Sequence, residues 1–225
     1  MTGQELRLSR KNRGWTQKQA ASRLGVSQPY LALLEAEKRK LPGKLTRKAI
    51  NLYGFSPTAL PPTSDPLRPV SADTLARDLA SLGYPGFAYM RSGWKKNPGE
   101  VLLTALAQPD LESRLTEALP WLMLEYPKLD TKWVVSQARL FGLSNRLGFV
   151  VDLAKSLAKR QDQVDCFAQL AQLLRASRLD VESTLCQESL SNVERAWLRE
   201  NRSDDAKYWH LLTDWKPNDL QYVGQ

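Results

Sequence analysis

The chain has 225 residues, 42% of them hydrophobic and seven of them Trp, enough apolar surface for a packed core and too much for wholesale disorder. No apolar run reaches the roughly 18 residues of a membrane span, and the polar N-terminus does not read as a secretion signal. The net charge is +8, and the two cysteines, Cys166 and Cys186, are too few for a disulfide framework or a zinc cage; two buried reduced thiols in a cytoplasmic protein are expected rather than one bridge.

The charge is concentrated. Residues 1–54 hold 12 Lys and Arg against three acids, Glu5, Glu35 and Glu37, whereas the remaining 171 residues hold 20 basic and 21 acidic side chains. A small segment with an excess of nine positive charges calls for a polyanionic partner, and nucleic acid is the commonest.

Leu6 and the arginines around it suggest a first helix over residues 3–11, broken by Asn12, Arg13 and Gly14. Thr16 is a good N-cap, and Gln19 three residues later completes a capping box. A second helix over 17–24 puts Ala20, Ala21 and Leu24 on one face. Gly25 supplies a left-handed turn, Val26 enters the core, and Ser27 caps a third helix that buries Leu31 and Leu34. Two helices joined by so short a turn cross steeply, which lets one lie over a duplex backbone while the other enters the major groove.

The stretch "WTQKQAASRLGVSQPYLALLEAEKRKLP" resembles the Cro/cI-type (XRE) helix-turn-helix family, and the resemblance covers about residues 3–54. It implies a five-helix DNA-binding domain, placed here at residues 1–56. Two departures stand out: Glu37 sits where the family usually has glycine, which would let the third helix run longer, and Leu33 is apolar at a position that usually faces DNA. By that resemblance Gln28, Pro29, Tyr30 and Leu33 would meet base edges, with Gln28 able to make a bidentate bond to adenine and Pro29 or Leu33 able to pack on a thymine methyl. Gln17 and Ser27, at helix N-termini, would hold phosphates. Arg13, Lys18, Lys38, Arg39, Lys40 and Lys44 join them as phosphate contacts. Arg10 has two readings, another phosphate contact or a bridge to Glu35 between the first and third helices.

"FSPTALPPTSDPLRPV", residues 55–70, carries five prolines where the charge balance changes, so residues 57–70 read as a linker that no helix crosses. Residues 71–225 read as helical throughout, giving an all-α chain. Ser71 caps "ADTLARDLASLG", Pro98 opens "GEVLLTALAQ", Asp130 caps "TKWVVSQARLFG", and Ser191 with Glu194 forms a second capping box. "NRLGFVVDLAKSLAKR" and "VDCFAQLAQLLRASR" keep apolar residues at helical spacing. The aromatics Tyr84, Phe87, Tyr89 and Trp94 fall in a Gly/Pro-rich stretch too irregular for a helix, and Tyr208, Trp209 and Trp215 fall in a short tail. Both groups read either as a partner-binding surface or as cover for the core.

A single histidine, His210, and no phosphate loop, dinucleotide fingerprint or nucleophile elbow lead to no expected enzyme, metal or cofactor. "LGYPGFAYMRSGWKKNPGEVLLTALAQPDLESRLTEALPWL", with "NRLGFVVDLA" and "STLCQESLSNVERAWLREN", looks like the helical part of two-domain regulators encoded beside nucleotidyltransferase-type toxins. That resemblance implies an antitoxin that binds its toxin and represses the shared operon, with double-stranded DNA, a cognate toxin and a second copy of the chain as partners. The alternative is a stand-alone repressor whose helical part senses a small ligand or only dimerises.

Overall fold

The structure is a computed structural model and describes residues 1–63, 67–90 and 93–220; residues 64–66, in the expected linker, lie outside them. The described chain is all-α apart from two strands of two residues each. It divides into two compact units, Met1–Pro62 with Trp94–Asn97, and Thr63–Gly93 with Pro98–Gln225.

The first unit is built from α1 (Gly3–Asn12), α2 (Gln17–Leu24), α3 (Gln28–Glu35), α4 (Gly43–Tyr53) and the 3-10 turn Pro57–Ala59. Each of the first three helices starts because a side chain takes up an orphan amide. Thr2 and Glu5 form a capping box on α1, Thr16 and Gln19 another on α2, and Ser27 accepts from the Tyr30 amide on α3. Gly25 turns the chain between α2 and α3 with φ at 71°, a conformation that costs a residue bearing a Cβ about 1 kcal/mol. The core that results holds Leu6, Ala20, Ala21, Leu24, Leu31, Leu34, Leu45, Ala49 and Tyr53. Val26 and Tyr30 pack at its edge.

Glu37 does not lengthen α3. The helix stops at Glu35, and Glu37 takes φ of 58°, the left-handed conformation that a glycine would adopt without strain. Its carboxylate accepts from the Gln4 amide at 3.4 Å, in the first turn of α1. A negative charge at a helix N-terminus is worth about 0.3–1 kcal/mol and offsets much of the strain.

The second unit contains α5 (Ala72–Leu82), a 3-10 segment (Pro85–Met90), α6 (Pro98–Leu106), α7 (Ser113–Glu125), α8 (Thr131–Leu140), α9 (Ser144–Leu157), α10 (Gln161–Arg175), β1 (Ser183–Thr184), α11 (Asn192–Asn201), α12 (Asp204–Tyr208), β2 (Leu211–Leu212) and a closing 3-10 turn (Pro217–Asp219). The strands pair in parallel, Ser183 with Leu211 and Thr184 with Leu212. The centre of the unit is α9, in which every residue from 144 to 154 is buried, packed along α10 and against α7. Arg146 on this helix is buried and gives its guanidinium to the carbonyls of Thr184, Leu106 and Gln108 and to the Glu188 carboxylate. A charge that deep persists only when its donors are met, and here they tie α9 to α6 and β1. Cys186 is buried and Cys166 half-buried; both are free thiols, and burial pushes the Cys186 thiol up to about 11.

The tail locks onto the same helix. Trp209 is fully buried and donates its indole N–H to Asp152 at 2.7 Å, and its ring lies against Gly148 so closely that a Cβ there would come within 2.4 Å of it. Inside a helix, Gly→Ala ordinarily gains about 1 kcal/mol. Gly148→Ala is expected to do the reverse and lose about 1–3 kcal/mol, because the pinned indole cannot retreat. Urea denaturation followed by far-UV circular dichroism measures this; a variant more stable than wild type would contradict the packing described.

Candidate nucleic-acid interface

The N-termini of α2 and α3 and the turn between α3 and α4 carry the residues singled out for DNA contact. Thr16 and Ser27 fix the first turns of α2 and α3, leaving the backbone N–H groups of Gln17 and Lys18 in α2 and of Gln28 in α3 without an intrahelical carbonyl, the condition for anion binding; Pro29 has no N–H to offer. Gln28 and Pro29 are exposed at the start of α3, Tyr30 is half-buried against the core, and Leu33 is 38% exposed one turn further on. Lys18, Lys38, Arg39, Lys40 and Lys44 are exposed, and none pairs with an acid among the described residues. Uncompensated cations at the start of α2 (Lys18), in the segment after α3 (Lys38, Arg39 and Lys40) and in the first turn of α4 (Lys44) are what a phosphate backbone needs.

Arg10 is not on that surface. It is 8% exposed and grips Glu35 with two parallel bonds, Nε to Oε1 at 2.6 Å and Nη2 to Oε2 at 3.0 Å, while Nη1 donates to the Trp15 carbonyl at 2.8 Å. The bridge between α1 and α3 is therefore the reading the fold adopts, and Arg10 leaves the phosphate set because its guanidinium is consumed inside. Gln17 divides its roles: its side chain donates to Glu35 Oε2 at 3.0 Å, so only its backbone amide stays at the helix start. Burial alone would raise the Glu35 carboxyl, but the hydrogen bonds from Arg10 and Gln17 outweigh it and hold the group below its ordinary value. Arg10 is raised, first by its bond to Glu35.

Arg13 is exposed yet engaged. Its Nη2 donates to the Tyr53 carbonyl at 2.7 Å, closing the C-terminus of α4, and its guanidinium lies 5.7 Å from the Trp15 ring centre. Arg23 covers the other partner of this stack, 4.4 Å from Trp15. Neither the Arg13–Tyr53 tie nor the Arg23–Trp15 stack was signalled by sequence spacing, since each joins separate elements.

Among the proposed partner-surface aromatics, the structure separates cover from surface. Tyr84, Phe87 and Trp209 are core, at 1%, 5% and 0% exposure, and the Tyr84 ring meets Phe87 and Trp121 edge-on. They leave the candidate surface because the irregular segments carrying them fold inward onto α5, α7 and α9 rather than outward. Trp215 is half-buried against the same core. Tyr89, Trp94 and Tyr208 are exposed, Tyr208 with the guanidinium of Arg178 4.6 Å from its ring centre. Among the described residues no cluster of three or more His, Cys, Asp or Glu is placed to hold a metal, and no helix is long and apolar enough to cross a membrane.

The bidentate pair makes a sharp prediction. Glu35→Gln leaves a buried guanidinium without its counter-charge, a change worth about 3–5 kcal/mol of stability. Because the folded-state carboxyl is lowered, the stability it contributes is complete above its unfolded pKa of about 4.3 and fades as pH falls through the folded value. Thermal unfolding between neutral and acid pH should therefore show the wild type losing part of its advantage over Glu35→Gln in acid. A constant difference across that range would contradict the pairing.

The helix-turn-helix domain family matches residues 3–62. Comparison with curated proteins and with solved structures returned no match. The capped α2, the Gly25 turn and the open start of α3 are the parts such a domain requires, and residues 3–62 form a helix-turn-helix DNA-binding domain.

Proposed function

We propose that this chain is a sequence-specific transcription regulator of the Cro/cI type that binds a palindromic operator as a dimer and serves as antitoxin and autorepressor of a toxin–antitoxin operon. The observation that carries the DNA part is α3 itself, on which Gln28 and Pro29 in the first turn and Leu33 further on are exposed, followed in the chain by exposed Lys38, Arg39, Lys40 and Lys44. Gln28 reads an adenine, Leu33 or Pro29 packs on a thymine methyl, and Tyr30 closes the base-reading edge. The amides of Gln17 and Ser27, with Lys18, Lys38, Arg39, Lys40 and Lys44, hold phosphates on either side. Arg13 adds its charge from the end of α1. One such unit contacts few base pairs, so useful affinity comes from two copies on half-sites about one helical turn apart.

The antitoxin part rests on the resemblance of the second unit to regulators encoded beside nucleotidyltransferase-type toxins. The exposed aromatics left for such a partner are Tyr89, Trp94 and Tyr208. A second reading, a repressor that senses a small ligand, is favoured by a cavity of about 400 Å3 in the second unit, lined by Val70, Leu75, Gln108, Leu111, Leu115 and Leu190 among others.

Fluorescence anisotropy on the operator is expected to give a dissociation constant below about 10⁻⁶ M at low salt, weakening steeply as salt rises. Gln28→Ala should lose about 1–3 kcal/mol and relax the preference at one base pair. Lys40→Ala should weaken all sequences alike. If both substitutions acted in the same sequence-independent way, α3 would not be the reading helix.

Co-expression of the full chain with the product of the adjacent reading frame tests the antitoxin role. Cells should survive a product that is toxic alone, and the two should purify together even when Gln28→Ala has weakened operator binding. A harmless neighbour, or a toxic one that neither binds nor is neutralised, leaves the plain repressor.

A further inference from the structure

Two exposed apolar surfaces of the second unit carry opposite charge. The first is the outward face of α11. Of its ten residues only Leu198 is buried, whereas Val193 and Trp197, one turn apart, are 79% and 54% exposed. The arginines of this region fold back onto the body of the unit. Arg195 donates to the carbonyls of Leu190 and Glu188, Arg199 to Glu182, and Arg202, just past the helix, pairs with Glu182 and donates to the Leu211 carbonyl. Glu200 has no cationic partner among the described residues and lies one turn beyond Trp197. The outward face is thus apolar with a residual negative charge at its C-terminal end.

The second surface is a groove of about 610 Å3 that α8 and α10 form, with Val135, Leu140 and Leu173 as its apolar lining and Lys132 and Arg139 as its charges. Leu140 is 72% exposed and Leu173 45%. No acidic residue lines it. Lys132 has no acidic partner among the described residues, and Arg139 reaches only the Leu173 carbonyl, at 3.2 Å.

We propose that α11 of one chain seats in the α8–α10 groove of a second copy, and that the contact is made twice, reciprocally, to give a two-fold dimer. Val193 and Trp197 meet Leu140, Leu173 and Val135, and Glu200 approaches Lys132 and Arg139. The occupant is a second copy because one chain carries both halves, apolar against apolar and acid against base. A two-fold operation satisfies both at once and closes the assembly at two subunits, whereas a single head-to-tail contact would propagate. Doubling the contact also doubles the buried area, which a stable interface needs. This inference rests on the dimeric reading above and names the surface that makes it.

The test uses the full chain and reads mass by light scattering at micromolar concentration. Wild type should have the mass of a dimer. Trp197→Glu and Leu140→Glu, both at exposed positions and both checked for unchanged far-UV circular dichroism, should each be monomeric. An equimolar mixture of the two variants should regain dimer mass as concentration is raised, because one wild-type helix then meets one wild-type groove. A monomeric wild type, a variant that stays dimeric, or a mixture that stays monomeric overturns the proposal. A wild-type chain that uses α11 only to bind a different protein overturns it as well. Binding to a single half-site, measured on the same samples, keeps the two readings apart: a chain that does not bind DNA defeats the regulator reading, while the masses still decide the interface.

Discussion

The reading geometry of the first unit depends on the contact among Arg10, Glu35 and Gln17. A helix-turn-helix works only if α2 and α3 keep a fixed crossing, and the apolar core that joins them is thin. Leucine and alanine contacts set the distance between helices but tolerate rotation about their axes. A bidentate guanidinium–carboxylate pair does not, because both N–H directions must stay aligned with both oxygens. Glu35 holds Arg10 of α1 on one side and Gln17 at the start of α2 on the other, so one carboxylate orients three helices. A buried ion pair is weak as a source of stability, since desolvation cancels most of its attraction. What it supplies here is orientation.

The same bridge alters the electrostatics. The first 54 residues carry 12 cations, but they are not equivalent. Arg10 is neutralised inside, Arg13 closes the last turn of α4 and Arg23 lies on Trp15. Lys38, Lys40 and Lys44 remain uncompensated where the chain leaves α3 and enters α4, as do Lys18 at the start of α2, Lys11 at the end of α1 and Lys48 within α4. The net charge marked the unit as basic; the partners inside it decide which part of that charge faces outward.

What could be read from the sequence was local chemistry. Thr16 with Gln19, Ser27, Ser71, Asp130, and Ser191 with Glu194 all cap the helices they were expected to cap, because a side chain and an amide three residues away need no tertiary context. Longer-range features were hidden. Arg10 had two sound readings, and the choice lay with Glu35, which only folding brings near. Glu37 broke a pattern without breaking the structure, since packing against α1 holds it at positive φ. Tyr84, Phe87 and Trp209 lie in segments with no period, so no pattern said which way they pointed; Trp209 is buried because Gly148, far away in the chain, leaves room for its ring. The two-residue strands were too short to alternate and left no signal.

The division of charge also bears on where two copies can meet. Two copies of residues 1–54, each with an excess of nine positive charges, repel one another, and the repulsion is screened only beyond a Debye length of about 8 Å in physiological salt. A pairing surface within that unit would work against its own field and would compete with DNA for the same lysines. The second unit is close to neutral and carries most of the exposed large apolar side chains, among them Leu140, Leu173, Val193 and Trp197. Exposed apolar area of this kind is costly in water unless something covers it. That area lies outside the strongly basic residues 1–54, so in the dimer proposed above affinity for DNA and affinity for a second copy would be set by different residues.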